Sequence, residues 1–233
     1  MKALLYTLPL ICCLCILSGG CSFNPWNGNQ RIHSVDEEWL EGIKGVYQEC
    51  ELSETLRYDI FRRAMIGCKQ ISGKNPDIIT IIDYTKPSTD KRFHVIDVGE
   101  RKVLFSTHVA HGENSGRNYA TDFSNEKGSR KSSLGFYKTA ETYQGRHNYS
   151  LKLDGLEKGI NHYARARYIV IHSAGYVSPE FIRKHGRLGR SWGCPALPEH
   201  ISKDIIDAIK GGRCLYTHAD DEDYLERSRY GRE

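Results

Sequence analysis

Residues 168–198 read YIVIHSAGYVSPEFIRKHGRLGRSWGCPALP. The stretch opens on Ile169, Val170 and Ile171, a β-branched run of the kind that fills a buried strand. It delivers His172 at the strand's end, crosses a short helix-like segment, and passes through a loop rich in glycine and arginine. It closes on Cys194, set between Gly193 and Pro195. A cysteine attacks as the thiolate, and an imidazole within reach both accepts the thiol proton and favours its loss. Cys194 is therefore read as a nucleophile and His172 as its base, with Ser173 or its backbone carbonyl orienting the imidazole. Gly193 brings no Cβ to a substrate carbonyl. Pro195 has no N–H, so the amides of Trp192, Gly193 and Cys194 are the candidate oxyanion donors. Plainer readings compete. A strand-end histidine is commonly structural, and a cysteine before proline is commonly a small buried hydrophobe. His172, His185, Cys194 and His200 are all zinc-ligand types, but they include no close-spaced pair, and no metal site is expected.

Working outward, strands are expected at residues 78–84, 93–98, 103–110, 135–143, 149–153, 167–171 and 213–217, with Gly99, Glu100 and Arg101 forming a hairpin turn. Residues 111–133 form a long polar loop, a length that is usually functional or mobile. Two helices precede the strands. One covers residues 35–48. The second follows Ser53 as N-cap, carries Leu56, Ile60, Phe61, Ala64, Met65 and Cys68 on one face, and ends between Gly73 and Pro76. A third amphipathic segment spans 201–209. Residues 219–233 are dense in mixed charge and read as a solvated tail. The expected organisation is a mainly β catalytic domain over 78–218, preceded by a tether and helices over 22–77.

The first 21 residues have the layout of an export signal: Met1-Lys2, an apolar run to Leu17, then Ser18-Gly19-Gly20 and Cys21. Residues 17–21 resemble a bacterial lipobox, with the leucine one position further from the cysteine than is usual. Cys21 is thus an expected lipidation site, and the protein is expected in the periplasm or cell envelope, anchored to a membrane through lipid. Export into an oxidising compartment makes the remaining thiols meaningful. Cys50 and Cys68 are the natural disulfide candidates, against the alternative of Cys68 as a buried helix residue, and Cys214 reads as a buried structural thiol. The 233 residues are 39% hydrophobic, enough for one globular domain. With 33 basic against 29 acidic residues, interspersed, the net charge of +4 gives no basic stripe for nucleic acid.

The segment from His172 through Ser191-Trp192-Gly193-Cys194 resembles the signature of YkuD-like L,D-transpeptidases, in particular the murein L,D-transpeptidase catalytic domain branch. Residues 80–88 (TIIDYTKPS), 111–116 (HGENSG), 132–135 (SSLG) and 149–155 (YSLKLDG) fit the same pattern in order. The resemblance implies a β-sandwich or barrel with a few peripheral helices. It implies a peptidoglycan L,D-transpeptidase that forms a thioester on Cys194 and makes 3–3 cross-links or exchanges the terminal D-alanine of stem peptides, without a cofactor. An L,D-carboxypeptidase cutting the same bond and a catalytically idle peptidoglycan-binding module are the alternatives. Trp192 stands where the family usually has histidine, and Pro195-Ala196 where an apolar residue and a substrate-holding arginine are usual. Arg187, Arg190, Ser191 and His111 are then the candidates for holding substrate, with His111 open between pocket wall and loop packing.

Overall fold

The computed structural model describes residues 37–73 and 76–232. The export signal, Cys21 and nearly all of the tether lie outside the described residues.

Two helices lead. α1 (Glu37–Glu49) packs on α2 (Tyr58–Ser72), which Gly73 ends in the left-handed conformation at φ 70°. The second helix starts later than expected. Ser53 sits instead in a single 3-10 turn, Leu52–Glu54, and Arg57 precedes α2 without a side-chain cap.

Eight strands follow: β1 (Ile78–Asp83), β2 (Phe93–Asp97), β3 (Lys102–Thr107), β4 (Gly135–Gly145), β5 (Asn148–Gly155), β6 (Val170–Ser173), β7 (Ala196–Leu197) and β8 (Cys214–His218). They form one sheet in the order β3-β2-β1-β8-β4-β5-β6-β7. Its ladders are antiparallel except β1 with β8 and β6 with β7. The sheet is nearly closed. Ala110, just past β3, bridges to Ala196 in β7, with N–H···O distances of 2.9 and 3.3 Å. One rung, just beyond the end of β3, thus joins the two ends of the sheet. The expected mainly β fold with peripheral helices is what the chain adopts.

β1, β8 and the start of β4 are buried on both faces, so they read as continuous apolar runs rather than alternations. α2 covers one side. Its Gly67 lies so close to Phe136 of β4 that a Cβ there would sit 2.1 Å from the ring, and Phe136 stacks on Tyr216 of β8 at 4.4 Å. A short α3 (Pro179–His185) follows β6, and α4 (Glu199–Ile209) covers another side of the sheet through Ile205, Ile206 and Ile209. The helices from residue 37 onward and the sheet share one hydrophobic core.

Two expectations are corrected here. The disulfide joins Cys68 to Cys214, not to Cys50, which is a buried free thiol. α2 crosses β8, bringing residues 146 apart in sequence to a Cα–Cα distance of 5.8 Å. The C-terminal segment is not a solvated tail. It forms α5 (Glu222–Arg227) and buries Tyr224, and the Ser228 hydroxyl donates to the buried Glu157 carboxylate at 2.6 Å. Among the described residues no helix is long and apolar enough to cross a membrane.

Candidate active site

β6 and β7 run parallel, with His172 opposite Ala196 and Ser173 opposite Leu197. Cys194, two residues before Ala196, lies beside Val170, whose backbone amide reaches the sulfur. The His172 amide donates to the Pro195 carbonyl at 3.4 Å, so the histidine is bound to the residue next to Cys194. β6 begins at Val170 rather than Arg167 because Tyr168 takes the left-handed conformation at φ 59°. That conformation is a strained one for an aromatic residue. It leaves the Tyr168 ring 79% exposed and turns its carbonyl to the Cys194 Sγ at 3.5 Å.

The tautomer of His172 follows from its partner. Nδ1 lies 2.9 Å from the Ser173 carbonyl. A carbonyl only accepts, so Nδ1 carries the hydrogen and Nε2 keeps its lone pair. It is the Ser173 backbone, not its hydroxyl, that orients the ring. Burial holds the imidazole below its ordinary range, against the pull of the Ser173 carbonyl, and His147 adds to the lowering. Burial also pushes the Cys194 thiol up, against the Val170 amide and the Arg167 guanidinium. Both shifts favour an uncharged pair at rest.

The turn that carries Cys194 is locked from within. The Ser191 hydroxyl donates to the Cys194 carbonyl at 2.6 Å and accepts from the Gly193 amide at 3.0 Å. The Ser132 hydroxyl donates to the Gly193 carbonyl at 3.0 Å and accepts from the Gly112 amide at the same distance. Gly193 has φ 123°, and a Cβ there would lie 2.8 Å from the Lys131 carbonyl oxygen. Glycine is therefore demanded at this position by backbone and neighbour alike. Because the Gly193 amide is bound to Ser191, it is removed from the expected oxyanion donors. The amides of Trp192 and Cys194 have no hydrogen-bond partner among the described residues.

The other expected site residues fall into two groups. Ser191 is nearly buried and its hydroxyl is spent inside the turn, so it braces the loop rather than facing a ligand. His111 is wholly buried. The Arg92 guanidinium donates to its Nδ1 at 2.7 Å, which leaves Nε2 to donate to the Gly116 carbonyl at 3.3 Å. Burial, with Arg92 next, holds His111 down to about 3. It is a neutral joint under the 111–133 loop, not a pocket wall.

Trp192, in contrast, is 67% exposed, with the Arg130 guanidinium 4.6 Å over its ring. Arg187 and Arg190 spend one Nη1 each on backbone carbonyls, of Leu188 at 2.6 Å and of Glu113 and Gly116 at 3.0 Å. The charges of Arg190 and Arg117, after burial, lower the Arg187 guanidinium. Among the described residues Arg130 pairs with Glu113 at 2.6 Å, whereas Arg117, Arg187 and Arg190 make no ion pair. His185 and His200 do not join His172 and Cys194, and among the described residues no three His, Cys, Asp or Glu side chains converge as metal ligands.

The family model of the L,D-transpeptidase catalytic domain, YkuD_2, matches residues 52–218. The chain belongs to that family. The match takes in the L,D-transpeptidase sheet from β1 to β8 together with α2. No curated protein sequence is recognisably similar to the chain. Among solved structures it is similar to an L,D-transpeptidase from Mycobacterium smegmatis, at 14% identity and a TM-score of 0.39, covering 63% of this chain and 60% of that one. It is also similar to L,D-transpeptidase 3 from Mycobacterium tuberculosis, at 11% and 0.40 with 63% of each chain covered. A third is the helical cell shape determining protein from Campylobacter jejuni, at 15% and 0.41, covering 62% of this chain and 48% of that one. The chain thus spans about 60% of the length of the first of these.

Three residues that bear on Cys194 or His172 carry no signal in the sequence. Tyr168 acts through its carbonyl, which carries no residue-type signal. Arg167 reads as the start of a strand, yet its guanidinium ties the loop carbonyls of Ser124 and Lys131 at 2.6 and 2.7 Å. His147 lies in an exposed hairpin turn, and the antiparallel pairing of β5 with β6, a non-local contact, brings it near His172.

Proposed function

We propose that this L,D-transpeptidase domain acts on peptidoglycan stem peptides through a thioester on Cys194. The observation that carries the reading is the His172 tautomer: an imidazole with Nδ1–H fixed on the Ser173 carbonyl and Nε2 unprotonated, in a histidine bound through its amide to the residue next to the partly buried Cys194 thiol.

The neutral pair at rest makes proton transfer part of the attack. Nε2 takes the thiol proton as the sulfur bonds to the carbonyl carbon of the third stem residue, diaminopimelate. The oxyanion draws on the free amides of Trp192 and Cys194. As the tetrahedral centre collapses, the C–N bond to D-alanine breaks and the departing nitrogen takes the proton from Nε2. An amine of a second stem then attacks the thioester, loses a proton to Nε2 and releases the thiolate, which recovers that proton. The product is a 3–3 cross-link. A free D-amino acid as acceptor gives exchange of the terminal residue. Water gives an L,D-carboxypeptidase.

Arg187 and Arg190, with Arg117 beside them, suit a stem carboxylate because they hold positive charge without a counter-ion among the described residues. The open face of Trp192 offers an apolar platform at the entrance. The protein is exported by residues 1–21, held to a membrane through a lipid on Cys21, and works in the periplasm or envelope without a cofactor.

Two measurements test this. Incubation with a carbapenem, read by intact mass, is expected to give a one-to-one adduct that Cys194→Ala abolishes; no adduct in the native protein leaves an idle peptidoglycan-binding module. Incubation with disaccharide-tetrapeptide is expected to yield dimers. Tripeptide monomers alone, with acceptor in excess, identify the carboxypeptidase.

A further inference from the structure

β4 and β5 form a long hairpin whose turn consists of Gly145, Arg146, His147 and the left-handed Asn148, at φ 61°. The turn is exposed, and nothing in its own packing needs an imidazole. Yet the His147 ring lies over the His172 ring, with centroids 4.5 Å apart and planes inclined by 32°. That is stacking distance for aromatic rings. His172 itself is only 3% exposed. The hairpin body is held to β6 independently of this contact, through Leu151 opposite Ile171 and Lys152 opposite Val170.

We propose that His147 is a positioning residue of the active site, whose imidazole stacks on His172 and holds that ring with Nδ1 on the Ser173 carbonyl and Nε2 free for the Cys194 proton. The inference rests on the reading of His172 as the base. A single hydrogen bond at Nδ1 fixes one edge of the imidazole but leaves it free to swing about that bond. A ring face laid across it removes the swing. The stack also bears on charge. When His172 takes the thiol proton it becomes an imidazolium, which a neutral ring face accommodates and a second positive charge opposes. The other ionisable neighbours of β6 are otherwise engaged. Lys152 from β5 is paired with Glu141 at 2.9 Å. From α4, Glu199 lies against Gly175, 3.6 Å from where its Cβ would be. Arg167 bears on Cys194 instead. His147 is thus the ionisable side chain from a neighbouring element that bears on His172, lowering it. The histidine that the family usually carries before Gly-Cys is Trp192 here, so the second imidazole of this site arrives from a different element.

The test uses the full chain and follows modification of Cys194, read on the peptide that contains it, by a carbapenem and separately by iodoacetamide across pH 5–9. His147→Ala is expected to lower the plateau rate of carbapenem acylation about tenfold, the scale of loss when a reacting group is allowed to wander. His147→Phe, which keeps a stacking ring, is expected to stay within about twofold of the native rate. In both variants the acid limb moves to higher pH, because the lowering influence of His147 on His172 is gone. The inference is overturned if His147→Ala matches the native protein in plateau and acid limb, or if His147→Phe falls as far as His147→Ala. Failure of the underlying reading looks different: the native protein is then not acylated by carbapenem, or His172→Ala leaves acylation and the iodoacetamide profile unchanged.

Discussion

The Ser191 hydroxyl makes two hydrogen bonds across a turn of four residues, and no other group spans the Gly193 amide and the Cys194 carbonyl. Removing it leaves a nearly buried N–H and C=O unpaired, at a cost of about 1–3 kcal/mol. Ser191→Ala is therefore expected to lower the denaturant midpoint and to slow carbapenem acylation at least tenfold, because the Cys194 amide is no longer fixed. Unchanged acylation would mean that the turn holds itself. At this scale the sequence was legible wherever chemistry follows from residue type. Cys194 and His172 are named by what a thiol and an imidazole do. It was not legible where the backbone acts, as at Tyr168, nor where a side chain's role depends on what lies across the fold. His111 looked like a ligand group until Arg92 took its Nδ1.

At the scale of elements, strands were legible because their β-branched runs are continuous or alternate with period two. Ends were less so, since ends are set by tertiary contacts. Ser53 looked like a cap, but α2 waits for Tyr58, and the preceding turn instead buries Leu52 and Leu56. The mixed-charge C-terminus hid Tyr224 and Tyr230 among its charges, and Tyr230 meets Phe136 edge-on at 5.9 Å. Gly67 shows what the α2–β4 contact demands. Gly67→Ala improves helix propensity but drives a methyl into the Phe136 ring. Overpacking of this kind costs about 1–3 kcal/mol, so the variant is expected to melt earlier. A rise in melting temperature would show that Phe136 can move aside.

For the whole molecule, the Cys68–Cys214 disulfide links the helical layer to β8 across most of the chain. Pairing by nearness in sequence favoured Cys50 instead. The actual pair depends on the parallel β1–β8 ladder, a non-local contact that residue spacing cannot show. Replacing both cysteines by alanine is expected to cost about 2–5 kcal/mol, visible as a lower urea midpoint, with Cys194 still acylated. An unchanged midpoint would mean that the helical layer is held by packing alone.

Buried histidines set the acid response. His94 and His111 are held at about 4 and about 3, by burial first in each case. Their folded values lie below the unfolded one, so their stabilising effect is complete above roughly pH 6.5 and falls away as pH drops toward the folded values. Each then costs up to about 1.4 kcal/mol per pH unit. The urea midpoint is expected to decline between pH 6.5 and pH 4, and His94→Gln to flatten that decline. A midpoint that is level over this range would contradict the burial of these rings as neutral groups.

The bridge between Ala110 and Ala196 gives the last of these features a dynamic meaning. β7 has two residues, so the sheet's shortest strand, and the rung that closes it, lie immediately after the reactive thiol. Sub-global opening begins where cooperative support is thinnest. Loss of that rung would release the strand that begins two residues after Cys194. A peptide seated across Cys194 thus acts as a clasp, and exchange of the Ala110 and Ala196 amides with solvent deuterium should slow when the thioester forms.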